Sequence, residues 1–257
     1  MASKGMIKTK EEIEIIREGG KRLARILSIL RDAIKPGVTT GELDKLAEKL
    51  MRDGGDEPAF LNYTPEGVSI PYPGTLCVSV NDEIVHGIPG ERVLKEGDIV
   101  SLDLGAIYRG YQGDAARTMG VNGVSIQAAA LMQATENALL AGIEMARPEN
   151  RLGDISAVIQ RYAESRGFSV VREYTGHGIG RQMHEEPLIP NFGSPGTGPV
   201  LKRGMTLAIE PMLNAGDWRT RLGSNGWTVS TADGQLSAHF ENTIVITDGE
   251  AEILTLI

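Results

Sequence analysis

A chain of 257 residues is long enough for one large domain or two modest ones with a full core, since compact domains run to roughly 100–200 residues. Its 34 acidic and 26 basic side chains leave a net charge of −8, which argues against a broad electrostatic footprint for nucleic acid. The single cysteine, Cys77, excludes an intrachain disulfide and fits a reducing compartment, where it reads as a small buried hydrophobe. No stretch of about 18–20 apolar residues occurs, and the opening "MASKGMIKTKEEIEII" lacks a signal-peptide core. The expectation is a cytoplasmic protein with no membrane span, in which residues 1–5 are either an N-terminal extension or sequence added ahead of a start at Met6.

Along the chain, Ile13, Ile16, Leu23, Ile26, Leu27 and Leu30 recur at helical intervals and predict a helix over about residues 10–34, ended by Pro36-Gly37. "TTGELDKLAEKLMRDGG" opens on a capping threonine and stops at Gly54-Gly55, a second helix. After a connection holding Pro58, Pro65, Pro71 and Pro73, the segments "TLCVSV", "DIVSLDLGAIY" and "YQGDAARTMGV" read as strands. Two further helices are predicted over about 125–147 and 151–166, followed by strands in "FSVVREY", "MTLAIEPM", "WTVST" and "SAHFENTIVIT".

That order is a repeat. "KPGVTTGEL" from Lys35 and "RPENRLGDI" from Arg147 share a basic-Pro pair, then Gly, an acid and an aliphatic. "GDIVSLD" and "GMTLAIE" both place a glycine six residues before an acid that ends an apolar strand. Together they predict two like halves, about 10–124 and 125–257, packed as one α+β domain.

The acids on these strands are the chemical signal. Asp103 interrupts the apolar run "IVSLDLGAI", and a lone buried carboxylate is costly without a partner. If Arg109-Gly110 is a two-residue hairpin turn, Asp114 falls opposite Gly105, and Asp103 and Asp114 share one face as a diagonal pair roughly 7–8 Å apart. A turn one residue longer would put them on opposite faces. Glu210 ends "MTLAI" and Glu241 opens "NTIVI". Taken singly, each acid also fits a strand end or an arginine pair; four at matched places favour a binuclear site for divalent ions, held by carboxylate and imidazole.

Two of the four histidines, His177 and His184, fall in "TGHGIGRQMHEEP". Three glycines argue against a helix there and predict a loop that lets a ligand approach the backbone. The zinc-protease signature H-E-x-x-H does not apply, because Leu188 stands where its second histidine would be. His86, in "NDEIVHGIPG", sits at another strand end.

"VHGIP", the Asp103 to Asp114 spacing, "TGHGIGRQMHEEP", "IEP" and "HFENTIVIT" together resemble the type I methionine aminopeptidases of bacterial form, from about Met6 to the C-terminus. The resemblance implies the pita-bread fold: a single domain of two pseudo-symmetric halves with an antiparallel sheet core flanked by helices. It implies two divalent ions (Co, Mn, Fe or Zn) on Asp103, Asp114, His177, Glu210 and Glu241, with Asp114 and Glu241 bridging. His86 and His184 would contact substrate, and Glu210 would handle the proton of water. The implied reaction is removal of the N-terminal methionine from nascent proteins, preferentially before a small second residue, by a monomer whose co-translational role brings it to the ribosome.

Tyr72, Cys77 and Trp227 are implied for the methionine pocket. The sequence departs from the family pattern at Met183, where an aromatic is common, and in "PAFLNYTPEGVSIPYPG", which is about six residues longer around Thr64–Ser69 and removes Phe60 and Tyr63 from the implied pocket. The rival readings are an Xaa-Pro peptidase of the same fold, whose extra N-terminal domain this length does not accommodate, and a binding protein that has lost the chemistry. All five ligand types and both histidines speak against the second.

Overall fold

The computed structural model describes residues 6–65 and 68–256. The 1–5 extension lies outside the described residues, as do Glu66 and Gly67 of the inserted stretch. In chain order the elements are α1 (Lys10–Ala33), α2 (Thr40–Gly54), β1 (Glu57–Pro58), β2 (Leu76–Val80), β3 (Glu83–Val85), β4 (Ile99–Tyr108), β5 (Tyr111–Gly120), α3 (Ile126–Met145), α4 (Leu152–Glu164), β6 (Ser169–Val170), β7 (Thr175–Gly178), β8 (Glu185–Pro190), β9 (Thr206–Ile209), β10 (Met212–Asn214), β11 (Thr220–Leu222), β12 (Val229–Thr231), β13 (Ser237–His239), β14 (Asn242–Val245) and β15 (Glu252–Ile253). None of the described helices is long and apolar enough to cross a membrane.

Local chemistry sets the helix ends. Thr9 and Glu12 exchange hydrogen bonds between side chain and backbone at the start of α1, and Thr39 and Glu42 do the same for α2, so orphan amide groups are satisfied at both. Gly55 ends α2 in the left-handed region, at φ 77°.

Each helix pair covers a sheet. Leu23, Leu27 and Leu30 of α1, with Leu43, Ala47 and Met51 of α2, pack on Leu76, Val78, Leu102 and Leu104 of the first sheet. There β4 is the middle strand, antiparallel to β5 on one edge and to β2 and β1 on the other. In the second half, Leu131, Leu139, Ile155 and Ile159 of α3 and α4 pack on Leu207, Ile209 and Ile244. Its sheet runs β15-β14-β9-β7-β8.

The two sheets meet where β14 lies beside β5. The Asp114 amide donates to the Thr243 hydroxyl at 3.0 Å, that hydroxyl donates back to the Asp114 carbonyl at 2.8 Å, and Glu241 N donates to Ala116 O at 2.9 Å. The β4–β5 connection is the anticipated two-residue turn, with Arg109 and Gly110 at φ 50° and 77° and Tyr108 opposite Tyr111.

One expectation is corrected. Thr175–Gly178 is not a loop but strand β7, paired with β8 and β9 inside the second sheet. Its glycines answer to neighbouring backbone: a Cβ on Gly176 would crowd the Ala208 carbonyl and one on Gly178 would overlap that of Glu186.

Because Leu104 is fully buried between the first helix pair and β4, Leu104→Ala is expected to cost about 2–5 kcal/mol of stability. Urea unfolding of the metal-free chain measures this, and a loss well below that range would mean the site collapses around the smaller side chain.

Candidate metal centre

Strand alternation separates structural from chemical residues on β4 and β5. Leu102 and Leu104 face the helices, so Asp103 faces the other way. Asp103 pairs with Ala116, and Asp114 with Gly105, which puts both carboxylates on that second face as the short turn requires. The seam with β14 then brings in Glu241. Asn242 pairs with Ile209, and continuing that antiparallel register by one residue sets Glu241 opposite Glu210, just beyond β9. His177 enters from β7, which lies along the other edge of β9.

The donor atoms converge. Single atoms of Asp114, His177 and Glu241 lie within 4.8 Å of one another, and His177 Nε2 is 3.5 Å from Glu210 Oε1. His177 Nδ1 contacts the Gly178 carbonyl at 2.9 Å, which leaves Nε2 as its free nitrogen. Behind this group, the Arg117 guanidinium donates to the backbone carbonyl of Glu241, to Ala116 O at 2.8 Å and to Asn242 Oδ1 at 2.6 Å.

Burial makes the cluster electrostatically demanding. It pushes the carboxyl of Asp103 up to about 6, and it pushes those of Asp114, Glu210 and Glu241 well above the usual range. Their mutual repulsion adds to the shift at Asp114 and Glu241. Burial also lowers His177 to about 3 and His86 to about 4, and lowers His184, so these rings are neutral donors of a lone pair or an N–H. Oδ1 of Asp103, Oδ1 of Asp114 and Oε1 of Glu241 are buried without a hydrogen-bond partner. Hard oxygens left bare beside one free imidazole nitrogen fit a divalent cation, which would satisfy them and reverse the repulsion.

All ten residues singled out in the sequence line one cavity of about 250 Å³. Asp103, Asp114, His177, Glu210 and Glu241 lie together; His184 stacks edge-on against His177 with ring centroids 4.5 Å apart; His86 packs against Trp227 and Tyr174. The apolar wall holds Tyr72 and Trp227, edge to face at 5.1 Å, with Cys77 and Met183. The Tyr72 hydroxyl donates to Gly87 O at 2.8 Å and the Trp227 indole to Ile70 O at 3.0 Å.

Four lining or neighbouring residues escaped the sequence reading. Phe60 and Tyr63 were set aside because of the longer stretch that follows them, yet both line the cavity. Backbone bonds from Asn62 N to Tyr72 O (2.8 Å) and from Tyr72 N to Tyr63 O (2.9 Å) tie the two ends of the longer stretch together and keep Phe60 and Tyr63 at the wall, to which Pro65 and Val68 of that stretch are added. The Tyr63 hydroxyl lies 2.6 Å from His184 Nδ1. Tyr174 gave no signal beyond its place three residues before His177. His239 did: it stands two residues before Glu241, the spacing that puts both on one face of an extended chain.

The profile of metallopeptidase family M24 matches residues 14–248. The methionine aminopeptidase of Clostridium perfringens is 50% identical over 252 residues, covering 98% of this chain and 99% of that protein. Among solved structures, methionine aminopeptidase from Rickettsia prowazekii superposes with a TM-score of 0.94 at 44% identity, covering 97% of this chain and 99% of that one. The enzyme from Thermotoga maritima gives 0.93 at 48% identity, with 98% and 99% covered. The α+β pita-bread fold expected from the motifs is thus the fold of this chain, and the chain belongs to metallopeptidase family M24 and, within it, to the methionine aminopeptidases.

Proposed function

We propose that this chain removes the N-terminal methionine from nascent polypeptides in the cytoplasm, acting as a monomer and preferring a small second residue. The observation that carries this reading is the junction of a carboxylate-rich donor cluster with an aromatic, sulfur-lined cavity of about 250 Å³. That volume falls below the roughly 300–1,000 Å³ of drug-sized pockets and suits a single side chain. Methionine fills irregular apolar space and favours aromatic edges, here those of Tyr72 and Trp227.

Asp103, Asp114, His177, Glu210 and Glu241 would hold two divalent ions. When bound, such ions lower the pKa of water towards neutrality and polarise a carbonyl. Mn, Fe, Co and Zn all accept this ligand set, and availability selects among them. Glu210 takes the proton released as water attacks the first peptide bond. With Nδ1 of His184 engaged by Tyr63, its Nε2 is the nitrogen left to donate to the oxygen on which negative charge develops. Neutral His86 donates to the scissile amide region. The substrate's free α-amine fits beside the carboxylates, so a blocked N-terminus is rejected. A co-translational substrate would bring the enzyme to the ribosome. An Xaa-Pro peptidase would use the same ligands, and substrate choice separates the two.

The primary test is release of methionine from Met-Ala-Ser and Met-Pro peptides by chelated protein before and after Mn or Co is added. Release restored by metal supports the reading; cleavage confined to Xaa-Pro peptides overturns it. His184→Ala is expected to lower kcat by about 10²–10³-fold while metal affinity holds, whereas His177→Ala should weaken metal binding itself. Equal loss of metal in both would overturn the division of roles.

The buried carboxyls also set a pH dependence. Asp103 is raised from 3.8 to about 6 in the folded metal-free chain, so between those values the folded state holds more protons than the unfolded. Its ionisation therefore opposes folding as pH rises, and a bound cation removes that penalty while competing with protons for the same oxygens. The rise in Tm on adding Mn is expected to be larger near pH 7 than near pH 5. Thermal melts with and without metal check this, and an equal rise at both pH values would exclude the carboxyls as the titrating ligands.

A further inference from the structure

His239, on β13, takes no part in the mechanism above, yet it is only 1% exposed and neither ring nitrogen has a hydrogen-bond partner. Its backbone is clamped by one side chain. The His239 amide donates to Thr118 Oγ1 at 2.9 Å, and the same hydroxyl donates to the His239 carbonyl at 2.7 Å. Ser101 Oγ, 2.7 Å from Thr118 Oγ1, completes this buried chain. The ring is therefore delivered to a fixed place, and that place is Glu210: His239 Nε2 is 3.6 Å from Oε2. The other carboxylate oxygen, Oε1, faces His177 Nε2 at 3.5 Å. Each oxygen of Glu210 thus has its own imidazole. Among the described residues the donor atoms within 4.8 Å of one another belong to Asp114, His177 and Glu241; Asp103, Glu210 and His239 all stand just outside that group, and of these His239 reaches it through Glu210.

We propose that His239 is a positioning residue of the metal centre, whose Nε2–H holds Oε2 of Glu210 so that Oε1 is turned toward His177 as the cation-facing oxygen. The inference rests on the metal-centre reading above. A separation of 3.6 Å is longer than a formed hydrogen bond, but bonds to an ionised carboxylate shorten; Asp103 is the other carboxylate acting on this ring, and Glu210 Oε2 is the oxygen within 4 Å of its Nε2. Supports of this kind fix the orientation and basicity of a ligand, and losing one typically lowers metal affinity or activity by about 10–100-fold. The arrangement is compact: the short link from β13 to β14 supplies both the support, His239, and the proposed ligand, Glu241.

The test compares H239Q, H239N and H239L with the unaltered chain, all stripped of metal and titrated with Co(II) by calorimetry and visible absorption. A glutamine amide reaches about as far as Nε2, whereas an asparagine amide reaches only as far as Nδ1. H239N and H239L are expected to bind Co(II) about 10–100-fold more weakly at unchanged stoichiometry, with H239Q recovering most of the loss and kcat following affinity in the same order. If H239L does not fold, as judged by near-ultraviolet circular dichroism, the Gln and Asn pair carries the comparison. Equal affinity in H239Q and H239N overturns the proposal. So does loss of one Co(II) equivalent with a changed absorption spectrum, which would make His239 a ligand. Failure of the unaltered chain to bind Co(II) would instead overturn the metal-centre reading itself.

Discussion

Four carboxylates are forced into one water-poor space, and the rest of the molecule is arranged to tolerate it. Like charges at this range repel, and burial removes the solvent that would screen them. The restraint acts on the main chain: the Thr243 hydroxyl grips both the amide and the carbonyl of Asp114, and Glu241 is tied to Ala116 across the seam. Arg117 adds a positive charge behind Glu241 while binding carbonyl oxygens of the same strands. The cluster is thus pre-organised by β-pairing and not by its own side chains, which leaves their oxygens uncommitted.

That organisation explains which parts of the molecule were legible in the sequence. The capped helices, the β4–β5 register and the positions of Asp103 and Asp114 depend on near neighbours: a threonine with a glutamate three residues on, and a two-residue turn with Gly110. Glu210 and Glu241 were legible because each interrupts an apolar strand at its end. Strand β7 was not, since its glycines are selected by carbonyls of Ala208 and Glu186, residues that only the folded sheet brings close. Phe60 and Tyr63 were obscured for a related reason. Sequence length suggested displacement, but two backbone bonds to Tyr72 hold the loop base shut.

The pocket and the metal centre share walls. His184 touches His177 on one side and Tyr63 on the other, so the ring proposed to meet substrate is oriented by one residue from the apolar wall and one from the donor cluster. Trp227, between β11 and β12, is anchored to the carbonyl of Ile70 in the longer segment. Selection of the side chain and activation of the peptide bond are therefore mechanically linked through a few aromatic contacts.

The seam between β5 and β14 has a consequence for the birth of the protein. Asp103 and Asp114 leave the ribosome well before Glu241, and β14, which follows Glu241 directly, is the strand that pins Asp114. A chain still being translated therefore has neither a complete ligand set nor the pairing that holds one. On the proposed function, the metal centre is assembled only after synthesis has passed Glu241 and β14, so activity belongs to the second half's completion and not to the first half alone.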